Sequence, residues 1–236
     1  MQAPNKSSTQ NNTQFRFYSI LCMLYATTLL LSNIVAQKIV HIWVFDVPAA
    51  FILFPLMYFF GNVFTEIYGY AYARQAIWMA LVCNLLMVLT FEATIWLPSS
   101  ANWHNGAMYS AILGQSSRIV LASIIAFGCG EFCNSYVLAK IKVRTAGRML
   151  WLRISIATVL SQLIGSLLFI FIAFAWILPW PVLFDAAFSY YLFKVVYQIA
   201  AIPLLYYLIA FLKKKEGIEA FDTNTNFSPF RWNSKE

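Results

Sequence analysis

The sequence predicts an all-α integral membrane protein with six transmembrane helices and both termini on the cytoplasmic side. Of the 236 residues, 61% are hydrophobic and only 11% are charged, whereas a soluble domain carries about 25% charged residues. The apolar residues form long continuous runs, which are typical of membrane helices and not of the alternating strands of a barrel. The net charge is +7, but Lys and Arg collect at the ends of the apolar runs. This arrangement is typical of membrane topology signals. We therefore do not expect direct binding of nucleic acid.

The predicted elements follow one another in three regions. Residues 1–15 are polar and expected to form a disordered cytoplasmic tail, residues 16–213 form the transmembrane domain, and residues 214–236 form a second cytoplasmic tail. Each apolar run contains about 20 residues or more, enough for a hydrocarbon core about 30 Å thick. The spans are predicted at residues 17–39, 47–70, 74–97, 118–139, 152–178 and 185–212.

Local signals support these boundaries. Pro98 ends the third span, and Pro179 and Pro181 end the fifth. The longest connection, residues 99–117, carries no net charge and is expected to hold a short interfacial helix at residues 107–113. Orientation follows from the basic residues: with the N-terminus inside, nearly all of them lie in cytoplasmic segments, and the exceptions are Lys38, Arg118 and Lys194.

Three ionisable residues fall deep within the predicted spans. Glu66 precedes Arg74 by about 12 Å of helix and Glu131 precedes Lys140 by about 13 Å, while Lys194 follows the start of its span by about 13 Å. Intramembrane charges are costly and mark functional sites, so the three are expected to line one cavity. The alternative, that intramembrane polar groups only join helices by hydrogen bonds, fits Asn84 or Gln162 taken alone. The predicted substrate-binding residues are Asn33, Gln37, Asn62, Glu66, Tyr70, Glu131, Asn134, Gln162, Lys194 and Gln198.

Carboxylates, amides, a lysine and many aromatic rings suit a flat, polar heterocycle, although sugars and amino acids use such groups as well. No catalytic residue, metal or cofactor is expected. The two histidines, His41 and His104, fall in loops, and the sequence contains neither HExxH nor GxSxG. A transporter is therefore favoured over a membrane enzyme.

Five stretches resemble the queuosine precursor transporter family, also called the vitamin uptake transporter family. They are LLLSNIVAQKIV (29–40), FPLMYFFGNVFTEIYGYAYAR (54–74), SSRIVLASIIAFGCGEFCNSYVLAKIK (116–142), LWLRISIATVLSQLIGSLLF (150–169) and YLFKVVYQIAAIPLLYYLIAFLKKKEGIEAFD (191–222). Two positions depart from the family pattern, since Asn62 and Gly165 stand where relatives usually carry acidic residues. Glu66 and Glu131 are left as the main acidic candidates.

The resemblance implies import of 7-deazaguanine precursors of queuosine across the cell inner membrane, for salvage into tRNA modification. The substrates expected are 7-cyano-7-deazaguanine, 7-aminomethyl-7-deazaguanine or queuine. In size and helix count the family is similar to the substrate-binding subunits of energy-coupling-factor importers of vitamins or nucleobases, which is the alternative function. Those subunits often carry Ala-x-x-x-Ala in the first helix, whereas that spacing from Ala26 meets Leu30. A facilitator that needs no dedicated ATPase is therefore favoured. A homodimer is a possible assembly.

Overall fold

The computed structural model describes residues 15–42, 45–114, 117–223 and 225–231. Within these ranges the chain is helical apart from one short hairpin and the connecting segments. The hairpin pairs β1 (Ile39–Ile42) with β2 (Phe45–Pro48) in antiparallel register. The α-helices are α1 (Tyr18–Val35), α2 (Phe54–Val63), α3 (Tyr70–Trp96), α4 (Gly106–Leu113), α5 (Ser117–Arg144), α6 (Leu150–Phe174) and α7 (Trp180–Glu216).

Five helical segments of the described chain are long and apolar enough to cross a membrane. They are Tyr18–Val35, Tyr70–Trp96, Gly106–Arg144, Leu150–Phe174 and Trp180–Glu216. Their outer surfaces carry large exposed hydrophobic side chains, for example Val82, Leu86 and Leu89 along α3. Such a surface is suited to lipid, and the protein is an integral membrane protein that crosses the bilayer several times.

The prediction of one continuous helix over residues 47–70 was wrong. Residues 47 and 48 belong to β2, Ala49–Ile52 form a turn of 3-10 helix, and α2 begins only at Phe54 with Pro55 in its first turn. The segment Phe64–Tyr68 then widens into a π-helix, and Gly69 breaks the chain direction with φ +86° and ψ 170°, a conformation that glycine alone adopts readily. Residues 54–68 therefore reach only about 22 Å at a helical rise, which is short for a hydrocarbon core of about 30 Å.

The other helices overlap their predicted ranges but differ at the ends. α1 stops at Val35 because residues 39–42 join the hairpin. α7 starts at Trp180, five residues earlier than predicted, since Pro181 fits the first turn of a helix, and it continues to Glu216 before Gly217 ends it with φ +67°. The predicted interfacial helix at residues 107–113 corresponds to α4.

The helices surround α2, which contacts α1, α5 and α7. The larger hydrophobic core lies where α2 and the π-helix meet these neighbours, with Tyr25, Phe64, Ile67 and Leu138 fully buried in it. Residues 217–223 and 225–231, which belong to the predicted C-terminal tail, pack against the start of α3. The predicted disorder of the N-terminal tail concerns residues 1–14, which lie outside the described residues, as do residues 232–236.

Candidate functional site

A cavity of about 450 Å³ lies between α1, α2, α5, α6 and α7. Its volume falls within the range of about 300–1,000 Å³ that small-molecule sites usually have. Five of the ten predicted binding residues line it, namely Asn33, Gln37, Glu131, Gln162 and Lys194. Aromatic rings make up much of the remaining wall, with Tyr58, Phe127, Phe169, Phe174 and Tyr190. The cavity thus combines a few polar groups with apolar surfaces, as ligand sites do.

Glu131 provides the buried acidic group of this cavity. Its side chain sits on α5 and is 1% exposed. The Tyr25 hydroxyl of α1 donates a hydrogen bond of 3.0 Å to Oε2, whereas Oε1 has no hydrogen-bond partner in the described chain. α2 passes so close that a Cβ at Gly61 would overlap Oε2. One carboxyl oxygen is therefore held in place by the protein, and the other is left to a ligand, water or a proton.

The opposite walls supply hydrogen-bond donors. The Tyr58 hydroxyl donates to Gln162 Oε1 at 3.1 Å, which directs the amide so that its N–H groups remain to donate elsewhere. The Lys194 ammonium lies 4.1 Å from the centre of the Tyr190 ring, a cation–π geometry. Asn33 also lines the cavity, and its amide nitrogen donates to Asn84 Oδ1 at 2.8 Å.

Glu66 lies in a different place from Glu131. Its fully buried carboxylate forms ion pairs with Arg153 at 3.1 Å, Lys213 at 2.8 Å and Lys142 at 3.3 Å. Lys142 and Lys213 also pair with Glu219. We call Glu66, Lys142, Arg153, Lys213 and Glu219 the ion network. Lys142 Nζ additionally donates to the Glu66 backbone carbonyl at 2.6 Å.

The prediction that Glu66, Glu131 and Lys194 line one cavity was therefore wrong for Glu66. The prediction estimated the depth of Glu66 in the membrane by assuming one continuous helix from Glu66 to Arg74. The helix is interrupted at Gly69, between these two residues. The charge of Glu66 is balanced by three cations, which gives this residue a structural explanation that does not require a ligand.

Comparison with known proteins identifies the family. Residues 48–208 match the family described as "Putative vitamin uptake transporter", and this match covers more than half of the chain. The protein belongs to the vitamin uptake transporter family. A relative from Bacillus subtilis (strain 168), named "Probable queuosine precursor transporter", is 28% identical over 179 residues, which are 74% of this chain and 77% of the relative. No solved structure matches the chain.

The remaining predicted residues of this vitamin uptake transporter lie outside the cavity lining. Asn134 Nδ2 donates to Asn62 Oδ1 at 3.1 Å in a buried pair between α5 and α2. The Tyr70 hydroxyl donates to the Phe227 carbonyl of the C-terminal segment at 3.0 Å. Gln198 of α7 is 7% exposed. Asn62 thus has an amide partner of the same kind.

Sequence reasoning missed Tyr25, Tyr58, Lys142 and Arg153. The two tyrosines lie in apolar helices, where an aromatic residue gives no sign that its hydroxyl meets a polar group. Arg153 and Lys142 were interpreted as topology markers of a basic loop. The signal that could have found Arg153 is its position in the fourth residue of α6, followed by a long apolar run.

Proposed function

We propose that this transporter imports 7-deazaguanine precursors of queuosine, such as 7-cyano-7-deazaguanine, 7-aminomethyl-7-deazaguanine or queuine, for tRNA modification. The observation that carries the proposal is the unpartnered Oε1 of Glu131 in a cavity whose other walls present Gln162 and Lys194. The name of the Bacillus subtilis relative supports the same substrate class. No catalytic role is assigned to these residues.

The chemistry of a deazaguanine suits this set of groups. Its polar edge combines a carbonyl with ring and exocyclic N–H groups, so the Gln162 amide or the Lys194 ammonium can donate to the carbonyl while Glu131 pairs with the adjacent edge. Its flat bicyclic ring can stack on aromatic walls such as Phe127 or Tyr58, and stacking on an aromatic side chain contributes about 1–3 kcal/mol per base.

The distribution of charge supports an inner-membrane orientation with both termini in the cytoplasm. Lys142, Arg144 and Arg148 lie at or after the end of α5, on the same side as Lys213, Lys214 and Lys215. The cavity lining includes Gln37 and Ile39, which follow the C-terminal end of α1, and Phe174, the last residue of α6, so it lies at the other end of the helices from the basic loop. In this orientation the cavity faces the outside, as an importer requires for loading.

The test is uptake in cells that cannot make queuosine and receive a limiting amount of 7-cyano-7-deazaguanine. Cells with this protein should recover queuosine-modified tRNA, and Glu131→Gln should reduce the recovery at least tenfold without lowering the amount of protein in the membrane. Glu92→Gln is the matched control, because Glu92 lies on α3 outside the 450 Å³ cavity. Equal recovery with and without the protein would refute the proposal.

The host should also lack the ATPases of energy-coupling-factor importers. Uptake in such a host is expected, because this chain lacks the Ala-x-x-x-Ala docking spacing at Ala26 and Leu30. Uptake that depends on added coupling proteins would favour a role as a binding subunit instead.

A further inference from the structure

The two buried carboxylates of the transporter differ in their electrostatic surroundings. Glu66 contacts three cationic side chains within 3.3 Å. Glu131 is equally buried, but in the described chain no basic group forms an ion pair with it and its hydrogen-bond partner is the neutral Tyr25 hydroxyl. The charge of Glu66 is therefore compensated by neighbouring side chains, and that of Glu131 is not.

An uncompensated carboxylate in a low-dielectric site is unfavourable, and such a group reduces the cost by keeping its proton. Oε1 is available to hold this proton, since it has no donor or acceptor in the described chain. Buried carboxyl groups of this kind within membranes serve as proton carriers in transporters. The position of Glu131 on the cavity wall gives its proton access to the same space as the substrate.

The titratable and charged groups on the helices around Glu131 influence whether its carboxyl group is protonated. Tyr25 of α1 contacts the carboxyl, Tyr58 of α2 faces the cavity, and Tyr190 and Lys194 do so from α7. α6 contributes Ser161, Gln162 and Gly165, which do not titrate. Lys194 is cationic, and its ammonium lies over the Tyr190 ring in this conformation. A conformation that brings Lys194 nearer to Glu131 would favour release of the proton.

We propose that Glu131 carries one proton across the membrane together with each substrate molecule, so that the transporter is a proton symporter. A hydronium ion in the outer water gives its proton to Oε1, where an O–H bond forms, and the neutral carboxyl group pairs with the polar edge of the ligand beside its carbonyl. On the inner side the O–H bond breaks, the proton passes to water, and the ligand leaves. This inference rests on the proposed function, because it names the ion that accompanies the proposed substrate.

Reconstituted full-length protein and labelled 7-cyano-7-deazaguanine provide the test. With an acidic exterior and the membrane potential clamped, vesicles should accumulate the label about tenfold for each pH unit of gradient, because one proton supplies about 1.36 kcal/mol per unit. A sodium gradient at equal pH should give no accumulation. Exchange of external label for internal unlabelled compound, without any gradient, measures transport itself.

The outcomes separate the two proposals. Exchange without accumulation under the pH gradient would overturn proton coupling and leave the proposed function standing. Accumulation driven by sodium would overturn it in favour of a sodium site at the same carboxyl. The absence of both exchange and accumulation would overturn the proposed function together with this inference.

Tyr25→Phe provides a readout that a merely structural role would not change. The Tyr25 hydroxyl donates a hydrogen bond to the Glu131 carboxyl group. Its removal should shift the pH above which ligand binding weakens, while Glu131→Asp should keep a pH-dependent affinity. In the control Tyr72→Phe, on α3 outside the cavity lining, the profile should stay in place. An unchanged profile in Tyr25→Phe would overturn the role of Glu131 as the proton carrier.

Discussion

Replacing Asp222 should destabilise the protein at the start of α3, although this residue lies in the predicted C-terminal tail. Both carboxylate oxygens accept hydrogen bonds from the Tyr70 backbone N–H, at 3.1 and 3.0 Å. The side chain is 7% exposed, and the Thr225 hydroxyl donates to Oδ1 at 2.7 Å. Asp222 therefore acts as the N-terminal cap of a 27-residue helix, but from 152 residues away in sequence.

The expected loss follows from these contacts. Removing an N-terminal cap costs about 1 kcal/mol, and a negative charge at a partly buried helix N-terminus adds up to about 1–2 kcal/mol. Asp222→Ala should thus lower the free energy of unfolding by about 1–3 kcal/mol. Asp222→Asn keeps one acceptor oxygen and loses the charge, so it should retain part of the stability.

Thermal unfolding of the purified protein in detergent measures this loss. A change of 1 kcal/mol shifts the melting temperature by about 2–4 °C in a chain of this size. Hydrogen exchange at the Tyr70 amide should also accelerate in Asp222→Ala, because the amide loses its acceptor. Thr223→Ala, an exposed neighbour in the same segment, is the control and should behave as wild type. Unchanged melting and unchanged exchange at Tyr70 in Asp222→Ala would refute the capping role.

Three further predictions concern the broken helix and the ion network. Gly69→Ala should lower the melting temperature, because φ +86° is strained for alanine by about 1–3 kcal/mol and the new Cβ would lie 3.2 Å from Ala220 Cβ; a variant as stable as wild type would show that this conformation is not required. Glu66→Gln should destabilise by about 3–5 kcal/mol, since it leaves buried cations uncompensated, and Glu66→Gln with Arg153→Gln should recover part of that loss in the same melting assay. Partial burial tends to raise the pKa of Glu219, but Lys213 and Lys142 outweigh this effect and hold that pKa below the ordinary 4.5. The ion pairs of Glu219 therefore stabilise the protein above pH 4.5, and this stabilisation disappears as the pH falls through the lowered pKa. Melting temperatures measured down an acid series should therefore fall less steeply in Glu219→Gln than in wild type, and parallel curves would contradict the pairing.

The sequence could predict the membrane helices because hydrophobic length and proline positions are local signals. It could also predict Glu131, Gln162 and Lys194 as cavity residues, since a polar residue in an apolar run stands out. It could not predict the break at Gly69, because the residues that stabilise this break lie far away in the chain. Asp222, Lys142 and Ala220 supply the partners for the backbone around it. For the same reason the structure, and not the composition, distinguishes Glu66 from Glu131, since Arg153 and Lys142 approach Glu66 from other helices.

The cavity and the ion network share two helical segments, which links their conformations. The chain segment that begins with α2 carries Tyr58 on the cavity wall and Glu66 about 12 Å further along, and α5 carries Glu131 and then Lys142 about 16 Å further along. A backbone break in lipid is tolerable only where protein groups satisfy its hydrogen bonds. The backbone of residues 66–70 therefore needs Lys142 and the C-terminal segment, or other protein groups, as hydrogen-bond partners in every conformation. A tilt of α2 against α5 that closed the cavity around a ligand would change the Glu66–Lys142 contact as well.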